Sequence, residues 1–163
     1  MEKVEKTICL CAIVKNEEKT IDGVKGDALE LMFSIDPSNA DEYGVRVLCS
    51  PDGKEQSTIS YIPAENIVRV DLTKTSVGSE MYRLKWHGLV QEAALDLAPD
   101  EPLEMRVFID KSVLEVFVNG KLCLTHRVYP SLVESKEIRL YSVGGKIEVP
   151  VLNAWKMHPS NPW

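Results

Sequence analysis

The stretch Met105-Arg106-Val107-Phe108-Ile109-Asp110-Lys111-Ser112-Val113-Leu114-Glu115-Val116-Phe117-Val118-Asn119-Gly120 decides the fold. Leu103, Met105, Val107 and Ile109 alternate with Glu104, Arg106, Phe108 and Asp110. That period of two marks a strand with one buried face. Lys111-Ser112 turns the chain into a second strand, Val113 to Val118. Asn119-Gly120 is the strongest short hairpin signal, because a type I′ turn needs positive φ at both central positions. Lys121 to Val128 is the return strand, and Tyr129-Pro130 closes it, since proline has no N–H for the ladder.

Working outward, the same pattern recurs. Leu29, Leu31, Phe33 and Ile35 share one face of a strand that Asp36-Pro37-Ser38-Asn39 ends. Tyr43 to Cys49, Ser57 to Ile62 and Ile67 to Asp71 read as further strands, with Pro51-Asp52-Gly53 as a turn. Ile8 to Val14, Ile138 to Val143 and Lys146 to Met157 complete the set, the last two joined by Gly144-Gly145. Leu72 to Glu80 is polar and reads as a loop. Within Tyr82 to Leu97, the spacing of Leu89, Val90, Ala93, Ala94 and Leu97 predicts a short helix. About nine to twelve short strands without a repeat imply an all-β fold, a two-sheet antiparallel β-sandwich.

The bulk properties narrow the function. A chain of 163 residues can bury one core. Its net charge of −6 disfavours nucleic acid and anionic membranes as partners. The apolar run Ile8 to Val14 is too short to cross a bilayer. Glu2-Lys3-Val4-Glu5-Lys6 is not a positive leader, and Lys15-Asn16-Glu17-Glu18 stands where a cleavage site would fall. A cytoplasmic setting is therefore expected over a secreted one. Cys9, Cys11, Cys49 and Cys123 form no CxxC pair and no zinc spacing. Buried free thiols are the expectation, although four cysteines also permit two disulfides. No metal, cofactor or calcium-loop motif is found.

The hairpin carries more than a pattern. Arg106 to Asn119 resembles the R-V-F-x-D-x-S-x-x-E-V-F-x-N run of the C-terminal domain of family 32 glycoside hydrolases, the invertases, levanases, inulinases and sucrose-phosphate hydrolases. Arg127-Val128-Tyr129-Pro130 resembles that family's R-x-Y-P, Ile138 to Gly145 its I-x-L-(F/Y)-x-x-G-G, and Leu152 to Met157 its closing L-x-x-W-x-M. Gly26 to Leu31 and Tyr43 to Val47 fit as well. The resemblance implies a division into residues 1–22, a strand or linker joining the sandwich; 23–157, the sandwich; and 158–163, a tail. It also implies a neighbouring five-bladed propeller that holds the catalytic site and cleaves β-fructosidic bonds with retention.

The family's catalytic blocks, N-D-P, R-D-P and E-C, are not in the sequence. Asp36-Pro37 imitates the first, but Ile35 stands in place of its Asn. About 160 residues cannot hold a five-bladed propeller and a sandwich together. Asp110 and Glu115 are a conceivable carboxylate pair. The bland reading is that Asp110 caps the turn through Ser112 or local amides, while Glu115 pairs with Arg106 or Arg127. Asn119, Arg127 and Trp155 read as structural members of the fold. No catalytic or metal-ligating residue is assigned, and His87, His126 and His158 are too scattered for a triad or a zinc site. Trp86, His87 and Tyr129 are the candidates for sugar contact, since rings stack on sugar faces while polar neighbours bond hydroxyls. The expectation is a non-catalytic accessory domain whose partner is a catalytic propeller, in cis or in trans, or a second copy of itself. A stand-alone lectin-like module binding fructans or another glycan is the rival, and a self-sufficient enzyme is disfavoured.

Overall fold

The computed structural model describes residues 6–78 and 88–159, with side chains from Cys11 onward. Trp86 and His87 lie outside the described residues, as does the rest of 79–87. Twelve strands run in chain order: β1 Lys6–Lys15, β2 Glu18–Lys25, β3 Ala28–Ile35, β4 Glu42–Cys49, β5 Ser57–Ile62, β6 Ile67–Asp71, β7 Val90–Ala94, β8 Leu103–Asp110, β9 Val113–Val118, β10 Leu122–Arg127, β11 Glu137–Val143 and β12 Lys146–Lys156. They form two six-stranded antiparallel sheets. The first has the order β1-β12-β3-β8-β9-β10 and the second β2-β11-β4-β5-β6-β7. β1 and β2 each take a full place, one per sheet.

The core lies between the sheets. The first sheet points Leu29, Leu31, Phe33 and Ile35 inward, together with Leu103, Met105, Val107 and Ile109 from β8 and Leu114, Val116 and Val118 from β9. The second sheet answers with Tyr43, Val45 and Val47, Ile59 and Tyr61, Val68 and Val70, and Ile138 and Leu140. Alternation in the sequence therefore becomes two apolar faces pressed together. This burial is the main favourable term for a fold without helices among its described residues.

The β9–β10 hairpin turns as its residues require. Asn119 has φ 49° and Gly120 φ 61°, the two positive values of a type I′ turn. Asn119 Oδ1 accepts the Glu104 N–H at 2.9 Å, and its Nδ2 donates to the Pro102 carbonyl at 2.8 Å. One side chain thus ties the hairpin to β8. Gly44 has a different role: a Cβ there would stand 2.0 Å from the Ile59 carbonyl oxygen, so only glycine fits between β4 and β5.

Two expectations are corrected. The apolar spacing at Leu89, Val90, Ala93, Ala94 and Leu97 does not produce a helix; Val90–Ala94 is a strand. Without it β6 would end the sheet with an open ladder, and β7 pairs along that edge from Asp71↔Val90 to Ile67↔Ala94. Leu89, Ala93 and Leu97 still reach the core, which is why their spacing fits either element. The thiols differ as well. Cys49 is buried, but Cys11 and Cys123 are exposed free cysteines, because their strand positions face outward.

Candidate functional site

Three places gather polar or exposed side chains beyond the needs of the core. The first is the outer face of the β1-β12-β3-β8-β9-β10 sheet. Asn153, Met32, Arg106, Phe117 and Cys123 follow one another across it in register. The next row runs Trp155, Glu30, Phe108, Glu115 and Thr125. Arg106 reaches back to Glu30, with Nε and Nη2 donating to Oε1 at 2.7 and 2.6 Å, and lies 4.9 Å over the Phe108 ring. Phe108 meets Phe117 edge-on at 5.9 Å. A groove of about 320 Å³ opens beside these rows, lined by Met32, Ser34, Glu104, Phe117, Val151 and Asn153 among others.

The residues singled out from the sequence fall mostly on this face. Glu115 stands opposite Phe108 and Thr125. Neither expected base joins it: Arg106 pairs with Glu30, and Arg127 Nε donates to the Tyr129 hydroxyl at 3.0 Å with its guanidinium 5.5 Å from that ring. Asp110 does not hold the turn; Asp27 does, its carbonyl accepting the Lys111 N–H and its carboxylate pairing with Lys111 Nζ at 3.0 Å. Lys111 takes φ 54° at this turn. The Ser112 carbonyl accepts from the Val128 N–H. Asp110 and Glu115 are diagonal rather than opposite, and Asp110 is exposed. Trp155 is half-buried on the outer face, not between the sheets. Tyr129 is half-buried beside Arg127, away from the groove lining.

The second place is a charged network on the outer face of the other sheet. Arg139 holds Glu137 through Nε and Nη2, Glu18 through Nη1 at 2.6 Å, and the Ser50 carbonyl at 2.9 Å. Arg46 extends the network, paired with Glu18 and lying 4.2 Å over the Tyr141 ring. Tyr141 donates to Glu42 at 2.7 Å, and burial followed by that carboxylate pushes its phenol pKa well above the usual range. Burial opposes ionisation of Glu18, but the two arginines outweigh it and hold its pKa below the ordinary value.

The third place is Glu55, a fully buried carboxylate. It accepts from the Val77 N–H at 2.8 Å, the Ser131 N–H at 2.9 Å and hydroxyl at 2.5 Å, the Leu132 N–H at 3.0 Å and the Ser135 hydroxyl at 2.6 Å. Desolvation works against its charge, yet these donors prevail and its pKa lies below the ordinary value. The loops at 76–78 and 131–135 are thereby joined. Neither this site nor the arginine network was visible beforehand, because each brings together residues distant in the chain.

Among the described residues no cluster of His, Cys, Asp or Glu has the makings of a metal site. The three places are an aromatic and amide-lined groove, an ion-pair network and a loop clamp. None pairs a nucleophile with a base or an acid.

The chain matches the family described as "Glycosyl hydrolases family 32 C terminal" over residues 3–156. It belongs to that family. Among its relatives, beta-fructofuranosidase insoluble isoenzyme 1 of Daucus carota is 33% identical over 125 residues, 71% of this chain and 21% of that protein. Insoluble isoenzyme 2 of Oryza sativa subsp. indica is 41% identical over 91 residues, 53% of this chain and 14% of that protein. The family 32 domain thus spans about a fifth of the length of the first relatives it matches. Exo-inulinase from Aspergillus awamori superposes at TM-score 0.79 and 21% identity, covering 94% of this chain and 29% of that one. Fructan 1-exohydrolase IIa from Cichorium intybus gives TM-score 0.79 at 20% identity, covering 96% and 36%. At such identities the likeness establishes the shared sandwich. The sequence match over residues 3–156 makes this chain a C-terminal family 32 domain, the accessory part of a β-fructofuranosidase-type architecture.

Proposed function

We propose that this domain packs on and stabilises a catalytic propeller of a β-fructofuranosidase-type glycoside hydrolase, joined to it in cis or supplied in trans. The observation that carries this reading is the match to the family's C-terminal region over residues 3–156, on a chain that spans about a fifth of its β-fructofuranosidase relatives. The end of the sandwich clamped by Glu55 suits such packing. Its two loops are pre-ordered by five hydrogen bonds and present Val77 and Val133, 55% and 82% exposed. Pre-ordering lowers the entropy cost of forming an interface.

The test is the thermal stability of a separately produced family 32 propeller with and without this chain. A partner that binds only the folded propeller raises its midpoint in a concentration-dependent way. The proposal expects that rise, and expects Val133→Asp to reduce it. An unchanged midpoint at saturating chain, with no association in sedimentation, counts against it.

A further inference from the structure

We propose that the groove on the outer face of the β1-β12-β3-β8-β9-β10 sheet binds a neutral oligosaccharide. The inference needs this chain alone and does not rest on the propeller reading.

Asn153 carries the argument. It sits on β12 between the inward Leu152 and Ala154, so its side chain belongs to the outer face. Outer-face side chains are ordinarily solvated, yet Asn153 is only 9% exposed and lines the groove. Its Oδ1 is buried and has no hydrogen-bond partner. Buried amide oxygens are almost always satisfied, so this one calls for a donor from outside the chain.

The rest of the lining says what kind of donor. Met32, Phe117 and Val151 are 43%, 38% and 38% exposed and form an apolar floor. Glu104 adds a carboxylate that accepts, and Ser34 a hydroxyl that does either. Asn119 is spent on the hairpin, and Arg106 turns its Nε and Nη2 to Glu30. A ligand must therefore lay an apolar face on Phe117 and Met32 while donating hydrogen bonds at its rim to Asn153 and Glu104. Sugar rings do both: their C–H faces stack on aromatic and thioether surfaces, and their hydroxyls donate. A purely apolar partner would leave Asn153 and Glu104 unpaired. An anionic ligand would meet Glu104. From Asn153 on β12 to Phe117 on β9 the row crosses four strands, roughly 15 Å and about two or three rings long. The polar cleft of the opposite sheet, around Glu42, Arg46, Thr58 and Asp71, offers no such apolar floor.

The test is isothermal titration of the chain with two neutral trisaccharides, 1-kestose and maltotriose. Saturable heat is expected with at least one. Phe117→Ala and Asn153→Ala should each weaken it about tenfold, while Val90→Ala, exposed on β7 of the opposite sheet, leaves it unchanged. Thermal unfolding checks that each variant folds, and Met32→Ala at its exposed position repeats the test if Asn153→Ala does not. Absence of saturable heat with both sugars overturns the proposal. So does binding that survives Phe117→Ala and Met32→Ala at full strength.

Discussion

Glu55 and Ser135 lie 80 residues apart in sequence, and the Ser135 hydroxyl donates to the Glu55 carboxylate at 2.6 Å inside the protein. A fully buried carboxylate is costly unless donors surround it, and this one has five. Glu55→Ala leaves those donors facing a hole. The expected loss is about 3 kcal/mol, at the upper end for stranded buried donors. Glu55→Gln should lose less, because one amide oxygen can still accept. Urea unfolding of the three proteins gives the order wild type, Gln, Ala, and equal midpoints would show that the clamp contributes nothing.

The type I′ hairpin makes a second prediction. Gly120 has φ 61° with nothing within 4 Å of a Cβ position, so Gly120→Val tests backbone strain without a clash. A β-branched residue in the left-handed region costs about 1–2 kcal/mol. Asn119→Ala additionally removes the bonds to Glu104 and Pro102, and should cost about 1–3 kcal/mol. Both are read from the shift in the urea midpoint at constant slope.

A third concerns pH. His126 is half-buried, its Nε2 has no partner, and burial pulls its pKa below 6.5. The unfolded chain then binds more protons than the folded one once pH drops below the unfolded value, so stability falls with acidification from there. Glu18 and Glu55 are also held below their ordinary value, so their contribution is present above it and lost as pH falls through the folded values. Stability should be level near neutrality, decline from about pH 6.5 and steepen below about pH 4.5. His126→Gln should remove the first decline and keep the second. A variant whose profile still bends near pH 6.5 would assign that bend to another group.

A fourth tests the arginine network. Arg139 uses its fork on Glu137 and Glu18 and reaches the Ser50 carbonyl. Lysine keeps the charge but cannot make these contacts together. Arg139→Lys should therefore cost about 1–3 kcal/mol in urea unfolding. A loss of only a few tenths would mean that charge alone matters there.

These residues show how far the sequence could be read. The strands were legible where side chains alternate strictly, as in Leu29 to Ile35 and Leu103 to Ile109, since one sheet face is buried along their whole length. The Asn119-Gly120 turn was legible because few residues tolerate two positive φ values in succession. Leu89 to Leu97 was not, since apolar residues four apart serve a helix face or a short edge strand, and the open edge of β6 decided. Cys123 was misread because membership in a strand does not say which face a residue takes. Glu55 was hidden: in Lys54-Glu55-Gln56 it looks like a solvated turn, and only the topology brings Ser131 and Ser135 to it. The groove was missed for the same reason, as Asn153, Met32 and Phe117 come from three strands that are not consecutive in the chain. The family resemblance lay in contiguous blocks, and so it could be read directly.

The central claim is that this chain is an accessory domain without hydrolytic machinery of its own. Its most direct test is fructose release from sucrose and 1-kestose by the purified chain, over hours at high protein concentration. No release above a buffer control is expected. Release that scales with the concentration of the chain and survives further purification would contradict it.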